Sequence, residues 1–508
     1  MENQATHRIW LTACLLALMH IKGVCGWRLP LRRSSTATLD YRFLMSAAAE
    51  AHAENERNDR VTRNKLVVIL AGPTAVGKSD VAAKLCAQLR GIIVSADSVQ
   101  AYRGVQIGAN KPDKAEMEQT PHLLVDVADH MENYNAAGWR RDAMYCIQRL
   151  VDPNTDSSGI VDEIDIHDPH FRRNRGFEIE EAIQRGLRVK QYRRESSVLP
   201  VVVGGTMMYL QWLVHGRPDA LRPTDDALRT AAEIMGRFEI VDDWEGAAQY
   251  VRNFGEAFSH QASKLCGQDW YRLRRILEVA LTVQESSDAT LVDKPYSGER
   301  EGSLKSLGYD VRCFFLCPDD RMKHTAVIDK RCEQMVQRGL LKETADLQLA
   351  RRLPDMAAKA ICYRQALDYL ERSDAKDEDE IAFQEFLDMF TTATRRYAKK
   401  QMQWFRKDSE FVFVPVAVSI DQTARIDSTT ETISHMISMS RESFDAMRES
   451  QNSVSALTRM ENEMQGKQMK FYQTKRHVLK QDSVELALAL READHCTNRI
   501  HATNSTSM

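Results

Sequence analysis

The run LVVILAGPTAVGKS, Leu66 to Ser79, constrains what this chain can fold into more than any other stretch. Leu66 to Leu70 is continuously apolar, as a strand buried on both faces must be. It leads straight into Gly72-x-x-x-x-Gly77-Lys78-Ser79 and a helix beginning near Asp80. This is a P-loop. The turn through Gly72, Pro73, Thr74, Ala75, Val76 and Gly77 aims backbone N–H groups and the free helix N-terminus at one pocket. There Lys78 adds a point charge and the Ser79 hydroxyl a ligand for Mg²⁺. Such a pocket holds phosphate. It does not say which phosphate, or whether a phosphoryl group is what moves.

A chain of 508 residues has room for one large core with appendages or for two to three domains. Its net charge of −3 gives no global sign of a nucleic-acid binder, so such a role must rest on local basic patches. The ten cysteines include no CxxC pair and no Cys/His group at zinc spacing. Cys313 and Cys317, in and beside the apolar run Val311 to Leu316, read as core thiols.

Residues 1–62 read as a targeting presequence and linker. Ile9 to Met19 is an apolar run of signal-peptide size, Val24 and Gly26 offer small residues for cleavage, and WRLPLRRSSTAT is rich in Arg, Ser and Thr. That order is similar to the bipartite presequence of plastid proteins. A mitochondrial presequence or a secretory signal stays open. The mature form is expected to be a monomer with no stable membrane association.

The core reads as alternating strands and helices, an α/β fold with a parallel sheet. After the helix Val81 to Leu89, Gly91 to Val94 is a second buried strand, ending in Ser95-Ala96-Asp97-Ser98. A carboxylate at a strand's C-terminal end beside the P-loop strand stands where α/β sheets place chemistry, so Asp97 is the first acid/base candidate. The competing reading is a turn aspartate or helix cap. Pro121 to Asp126 reads as a short strand whose Asp126 could mimic the Mg²⁺-binding aspartate of a kinase or ATPase, and His122 reads as structural. Asn135 to Leu150 reads as a helix. Pro200 to Val203 is a further strand, running into Gly204-Gly205-Thr206, where glycines admit close approach, and Tyr209 to Val214 follows as a helix.

In order along the chain stand GPTAVGKS, SADSVQAYRGVQIGANKP, PHLLVDV, YNAAGWRRDA, LPVVVGGTMMY, YRLRRILEV, CYRQALDYL and TRRYAKKQMQWFRK. Together these blocks closely resemble the tRNA dimethylallyltransferases (isopentenyltransferases), over roughly Lys65 to Lys407. The resemblance implies a P-loop NTPase-like core with a helical insertion domain. It also implies transfer of a prenyl group from dimethylallyl diphosphate to N6 of the adenosine next to the anticodon, position 37, in the tRNA anticodon stem-loop. The P-loop would then hold the leaving diphosphate with Mg²⁺, and Asp97 would be the general base. Thr206 matches a family position at the prenyl and base site, and Arg275 a family arginine near the diphosphate. The turn Asp97, Ser98, Val99 and Gln100, the helix start bearing Arg272, Arg274 and Arg275, and Tyr363, Arg364 and Gln365 would contact tRNA. So would the basic stretch with Arg395, Arg396, Lys399, Lys400 and Arg406, which read alone is a solvated basic helix.

The expected organisation is 63–219 for the P-loop core with a surface insertion at about 152–198, containing one helix from Glu178 to Arg188. Residues 220–300 form the helical tRNA-binding insertion, 301–415 the remaining core and basic helices, and 416–508 a polar C-terminal tail. Ala109 stands where the family usually has threonine. Two other readings keep the P-loop: an adenylate isopentenyltransferase acting on free AMP, ADP or ATP, and a P-loop kinase.

Overall fold

The continuously apolar runs become the middle of one parallel sheet. The computed structural model describes residues 65–153, 175–192, 197–220, 223–265, 267–286, 296–372, 379–418, 421–453, 466, 469 and 472–505. Residues 1–64, with the expected presequence, and residues 154–174 and 193–196 of the expected insertion lie outside these. The strands are β1 (Leu66–Ala71), β2 (Gly91–Ala96), β3 (His122–Leu123), β4 (Leu199–Gly204), β5 (Arg217–Ala220), β6 (Tyr296–Glu301), β7 (Asp310–Pro318) and β8 (Phe411–Val416). Six of them lie in the order β3-β2-β4-β1-β7-β8, every pairing parallel. Ile69 of β1 faces Val202 on one side and Cys313 on the other. With both edges and both faces covered, Val67 to Ala71 have no exposure, which is why the run carries no polar residue. The chain leaves β1 for β2 on one side and later crosses from β4 to β7 on the other. The loops therefore diverge above the C-terminal end of β1, where open α/β sheets bind ligands.

The strand expected over Pro121 to Asp126 is shorter. β3 stops at Leu123 because Leu124 and Asp126 take φ of 62° and 57°, outside any strand conformation. Asp126 instead accepts from Lys111 Nζ at 2.5 Å, so it does not serve as a strand-end metal ligand of the kinase kind.

Alternate strand residues face two helical layers. On one side α1 (Lys78–Leu89) lays Val81, Leu85 and Cys86 on Val68, Leu70, Ile93 and Val201. On the other, α2 (Ala136–Val151) begins where the Asn135 side chain accepts from the N–H groups of Ala137 and Gly138, a cap its sequence announces. Its Trp139 is fully buried, donates from Nε1 to the Ser95 carbonyl at 2.8 Å and stacks on Tyr209 at 4.6 Å. Beside it lie α3 (Arg175–Val189), which contains the helix expected within the insertion, and α4 (Met207–His215).

The helical insertion is α5 (Asp225–Ile240), α6 (Trp244–Arg252), α7 (Glu256–Ser263) and α8 (Trp270–Glu285). These helices bury a core of their own, with Met235, Val251, Phe258, Leu273 and Leu277, and join the sheet domain through the antiparallel pair β5 and β6. After β7 come α9 (Arg321–Gln337), α10 (Leu340–Leu349), α11 (Tyr363–Leu370) and the long α12 (Asp379–Phe405).

The segment read as a polar tail carries α13 (Gln422–Ser438), α14 (Arg441–Ser453) and α15 (Val484–Ser505), and all three pack on the core. Ile433 and Met436 of α13 and Phe444 of α14 complete the layer beneath α1. Buried Arg312 ties them down, donating to the Met436 and Ile437 carbonyls at 2.8 and 2.9 Å while pairing with Asp310 at 3.0 Å. Cys313 is buried and Cys317 partly so, and neither is in a disulfide. Trp139→Ala should remove both the stack on Tyr209 and the bond to β2, lowering stability by about 3–5 kcal/mol. Urea unfolding at unchanged slope reads this directly; a loss below about 1 kcal/mol would mean the layer re-packs.

Candidate active site

The diverging loops enclose a cavity of about 1210 Å³ at the C-terminal ends of β1, β2 and β4. That exceeds the roughly 300–1,000 Å³ of a site for one small ligand, so two reactants fit. One wall is the P-loop. Gly77 ends the turn at φ 97°, and a Cβ there would meet nothing within 4 Å, so backbone conformation alone requires glycine. Ala75 holds φ 64° without that freedom, a local strain of the kind kept at ligand sites.

Lys78 Nζ donates to the Gly72 and Pro73 carbonyls at 2.9 and 2.8 Å, folded over the loop. Removal from water, then the charge of Arg331, push its pKa from 10.5 down to about 7, against the opposing pull of Asp97. Ser79 is exposed at the start of α1 on the cavity wall.

Asp97 follows β2 on the same wall. Its Oδ1 accepts the N–H groups of Val99 and Gln100 at 2.9 and 3.2 Å, so the turn-aspartate reading is correct for one oxygen, and Oδ2 takes neither bond. Thr206 Oγ1 accepts the Ser98 N–H at 3.1 Å, and its own O–H remains a donor. Gln100 Nε2 donates to the Ala109 and Asn110 carbonyls, both at 3.2 Å, tying the cavity loop to the β2 turn. The paired glycines do permit close approach. A Cβ on Gly204 would sit 2.1 Å from the Ala96 carbonyl oxygen, and one on Gly205 would sit 2.2 Å from Gln401 Nε2.

Four residues escaped sequence reasoning. Gln401 of α12, buried, accepts the Thr74 N–H at 3.0 Å through Oε1 and donates to the Gly205 carbonyl at 2.9 Å through Nε2. Tyr397, one turn earlier, donates to that carbonyl at 3.2 Å. His324 of α9 donates from Nε2 to the Thr74 carbonyl at 3.0 Å, and burial carries its pKa down to about 4, so the ring is neutral. Arg331, also on α9, lines the cavity with Lys78 and Asp97, and burial lowers its pKa while Asp97 opposes the shift. The signal in the sequence was thin: Arg331 flanks the apolar stripe Ile328, Cys332, Met335.

Several expected site residues do other work. Arg275 sits on α8, paired with Glu278, and is not on the cavity wall. Arg274 pairs with Glu239 at 2.6 Å, whereas Arg272 is exposed. Tyr363 is fully buried and donates to Glu343 at 2.6 Å, so it cannot meet RNA directly, while Gln365 is partly exposed and accepts the Cys362 N–H at 2.9 Å. Arg364 is exposed between them. Arg395 is held by Asp329 at 3.0 Å, by Thr474 at 3.1 Å and over the Tyr472 ring, so it fixes α12 to the C-terminal segment. Arg396, Lys399, Lys400 and Arg406 remain exposed. Val99 is partly buried against the core.

A model of the IPP transferase family matches residues 100–155 and 165–408. The tRNA dimethylallyltransferase 9 of Arabidopsis thaliana is 29% identical over 408 residues, 75% of this chain and 78% of its own. The tRNA dimethylallyltransferase of Geobacter sulfurreducens is 30% identical over 373 residues, 73% of this chain and 97% of its own. The crystal structure of the tRNA isopentenylpyrophosphate transferase of Bacillus halodurans aligns over 73% of this chain and 96% of its own, at 24% identity and a TM-score of 0.42.

An anion beside Lys78 should raise its pKa from about 7, so binding takes up a proton at pH 8 and weakens as pH rises above 7. Calorimetry of pyrophosphate binding in buffers of different ionisation enthalpy should show uptake of about one proton in the wild type and less in Lys78→Met. Equal uptake in both would remove Lys78 from the effect.

Proposed function

The chain belongs to the IPP transferase family, and on that premise we infer that it transfers a dimethylallyl group from dimethylallyl diphosphate to N6 of the adenosine next to the anticodon, position 37, of tRNA. Diphosphate is released. The observation that carries the reading is a single cavity in which phosphate-binding groups, Lys78 and the P-loop turn, are within electrostatic reach of a carboxylate, Asp97, whose turn is bonded to the Thr206 hydroxyl through the Ser98 N–H.

The chemistry follows from what each group can do. The C1–O bond of the allylic diphosphate breaks with its electron pair going to the bridging oxygen. Lys78 and backbone N–H groups of the turn stabilise that charge, as an oxyanion hole does. An exocyclic adenine amine is a weak nucleophile because its lone pair is delocalised. As it bonds to C1 it must shed a proton, and Asp97 accepts it. Gln401 and His324 act through the loop, fixing Thr74 from both its N–H and its carbonyl.

Ser79 would hold the Mg²⁺ that accompanies the diphosphate. A single hydroxyl suits an ion that keeps water and phosphate oxygens for most of its shell, and among the described residues no carboxylate-rich group could hold a metal by itself. Bound there, the ion would neutralise charge on the leaving group.

For tRNA, the exposed cations Arg396, Lys399, Lys400 and Arg406 of α12 and its end, with Arg272 and Arg364, form the proposed phosphate contacts. A free adenine nucleotide would not need them. With labelled dimethylallyl diphosphate, label should enter tRNA and not AMP; the reverse would sink the reading. Asp97→Asn should cut kcat by about 10²–10⁴ with tRNA affinity unchanged. A matching loss of affinity would make Asp97 structural only. Neutralising Arg396, Lys399 and Lys400 together should flatten the salt dependence of tRNA binding, whereas Arg395→Gln should lower thermal stability and leave the slope intact. Equal slopes for wild type and triple variant would take α12 out of the interface.

A further inference from the structure

Helix α13 lies beyond residue 408, where the family match ends, yet it borders the phosphate pocket. Gln422 and Arg425, in its first turns, line the same cavity as Thr74, Lys78 and Ser79. Contacts with α1 hold them in place. Gln422 Nε2 donates to Asp80 Oδ2 at 3.3 Å, Lys84 pairs with Asp427, and Ser434 donates to Gln88 at 3.2 Å, three links spread along α1. Ile433 and Met436 anchor the same helix in the layer beneath.

Among these contacts Asp80, Lys84 and Asp427 have partners, and Arg425 does not. Among the described residues its guanidinium makes no ion pair, and its Nε is buried without a hydrogen bond. A part-buried cation left so is unfavourable, and an anion brought to it relieves the cost. Its surroundings hold further positive charge. Lys78 and Arg321, with Arg425 itself, add to the burial that keeps His324 neutral, so the groups gathered here repel one another until an anion enters.

We propose that Arg425 is a diphosphate-binding residue, by which the C-terminal segment completes the anion site that the P-loop begins. The inference rests on the prenyl-transfer reading for the identity of the ligand, a diphosphate ester and then free pyrophosphate. Arg425 binds both, and its guanidinium presents paired N–H donors to phosphate oxygens.

The test is calorimetric titration of the full chain with magnesium pyrophosphate, for wild type, Arg425→Gln and Arg425→Lys. Arg425→Gln should raise Kd about tenfold or more, and Arg425→Lys should recover part of that, with tRNA affinity unchanged and the thermal midpoint of the ligand-free protein not lowered. In turnover, KM for dimethylallyl diphosphate should rise and KM for tRNA should not. A Kd for Arg425→Gln within about twofold of wild type overturns the assignment. The two claims separate cleanly. Wild type that binds pyrophosphate through Arg425 but prenylates no tRNA leaves this site standing and removes the functional reading. Active wild type with pyrophosphate binding indifferent to Arg425 does the opposite.

Discussion

One buried amide holds the two halves of the site together. Gln401 engages the P-loop at the Thr74 N–H and the β4 loop at the Gly205 carbonyl, with bonds of 3.0 and 2.9 Å. A side-chain amide this far from water is tolerable only if both ends are bonded, so its two partners are held as firmly as it is. With Tyr397 on the same Gly205 carbonyl and His324 on the Thr74 carbonyl, the spacing between the P-loop and the β4 loop is thereby set largely by this one amide. Gln401 rides on α12, a continuous helix from Asp379 to Phe405, whose other face exposes Arg396, Lys399 and Lys400. The surface that would meet RNA and the contact that shapes the P-loop belong to one rigid element.

The pocket itself is built short of negative charge. Lys78 and Arg331 stand near one another with Asp97 the carboxylate that offsets both, and desolvation already lowers both cations' affinity for a proton. Such an arrangement is poor as a structural ion-pair network and good as a receptor, because an arriving anion, the diphosphate in the proposed reaction, supplies the missing charge. Much of the binding energy is then located where charge develops as the allylic bond breaks.

What was legible in the sequence was whatever a local pattern specifies. The runs Leu66 to Leu70, Gly91 to Val94 and Pro200 to Val203 are apolar without interruption because parallel strands between two helical layers have no wet face. Asn135 announced α2, and the P-loop announced the cavity. What failed depended on partners distant in the chain. Tyr363 and Arg395 look like surface residues in their motifs, but Glu343 and Asp329 claim them. Asp126 ended an apolar run but found Lys111. The polarity of the C-terminal segment hid a stripe of Ile426, Ile433, Met436 and Ile437, too sparse to stand out against so many polar neighbours.

The sheet order also has a consequence in time. β1 is made early and α1 follows it at once, yet one of its two neighbours, β7, lies beyond residue 309, and α13, which completes the layer beneath α1, begins at Gln422. At about 5–20 residues per second of synthesis, the P-loop strand waits some tens of seconds for its second sheet neighbour. During that interval a strand with no polar residue keeps one edge unpaired even after β4 has been made, a template for pairing with other nascent chains. The feature that makes the finished pocket rigid therefore makes the unfinished chain a natural client for chaperones, and places its period of greatest vulnerability before its last helices exist.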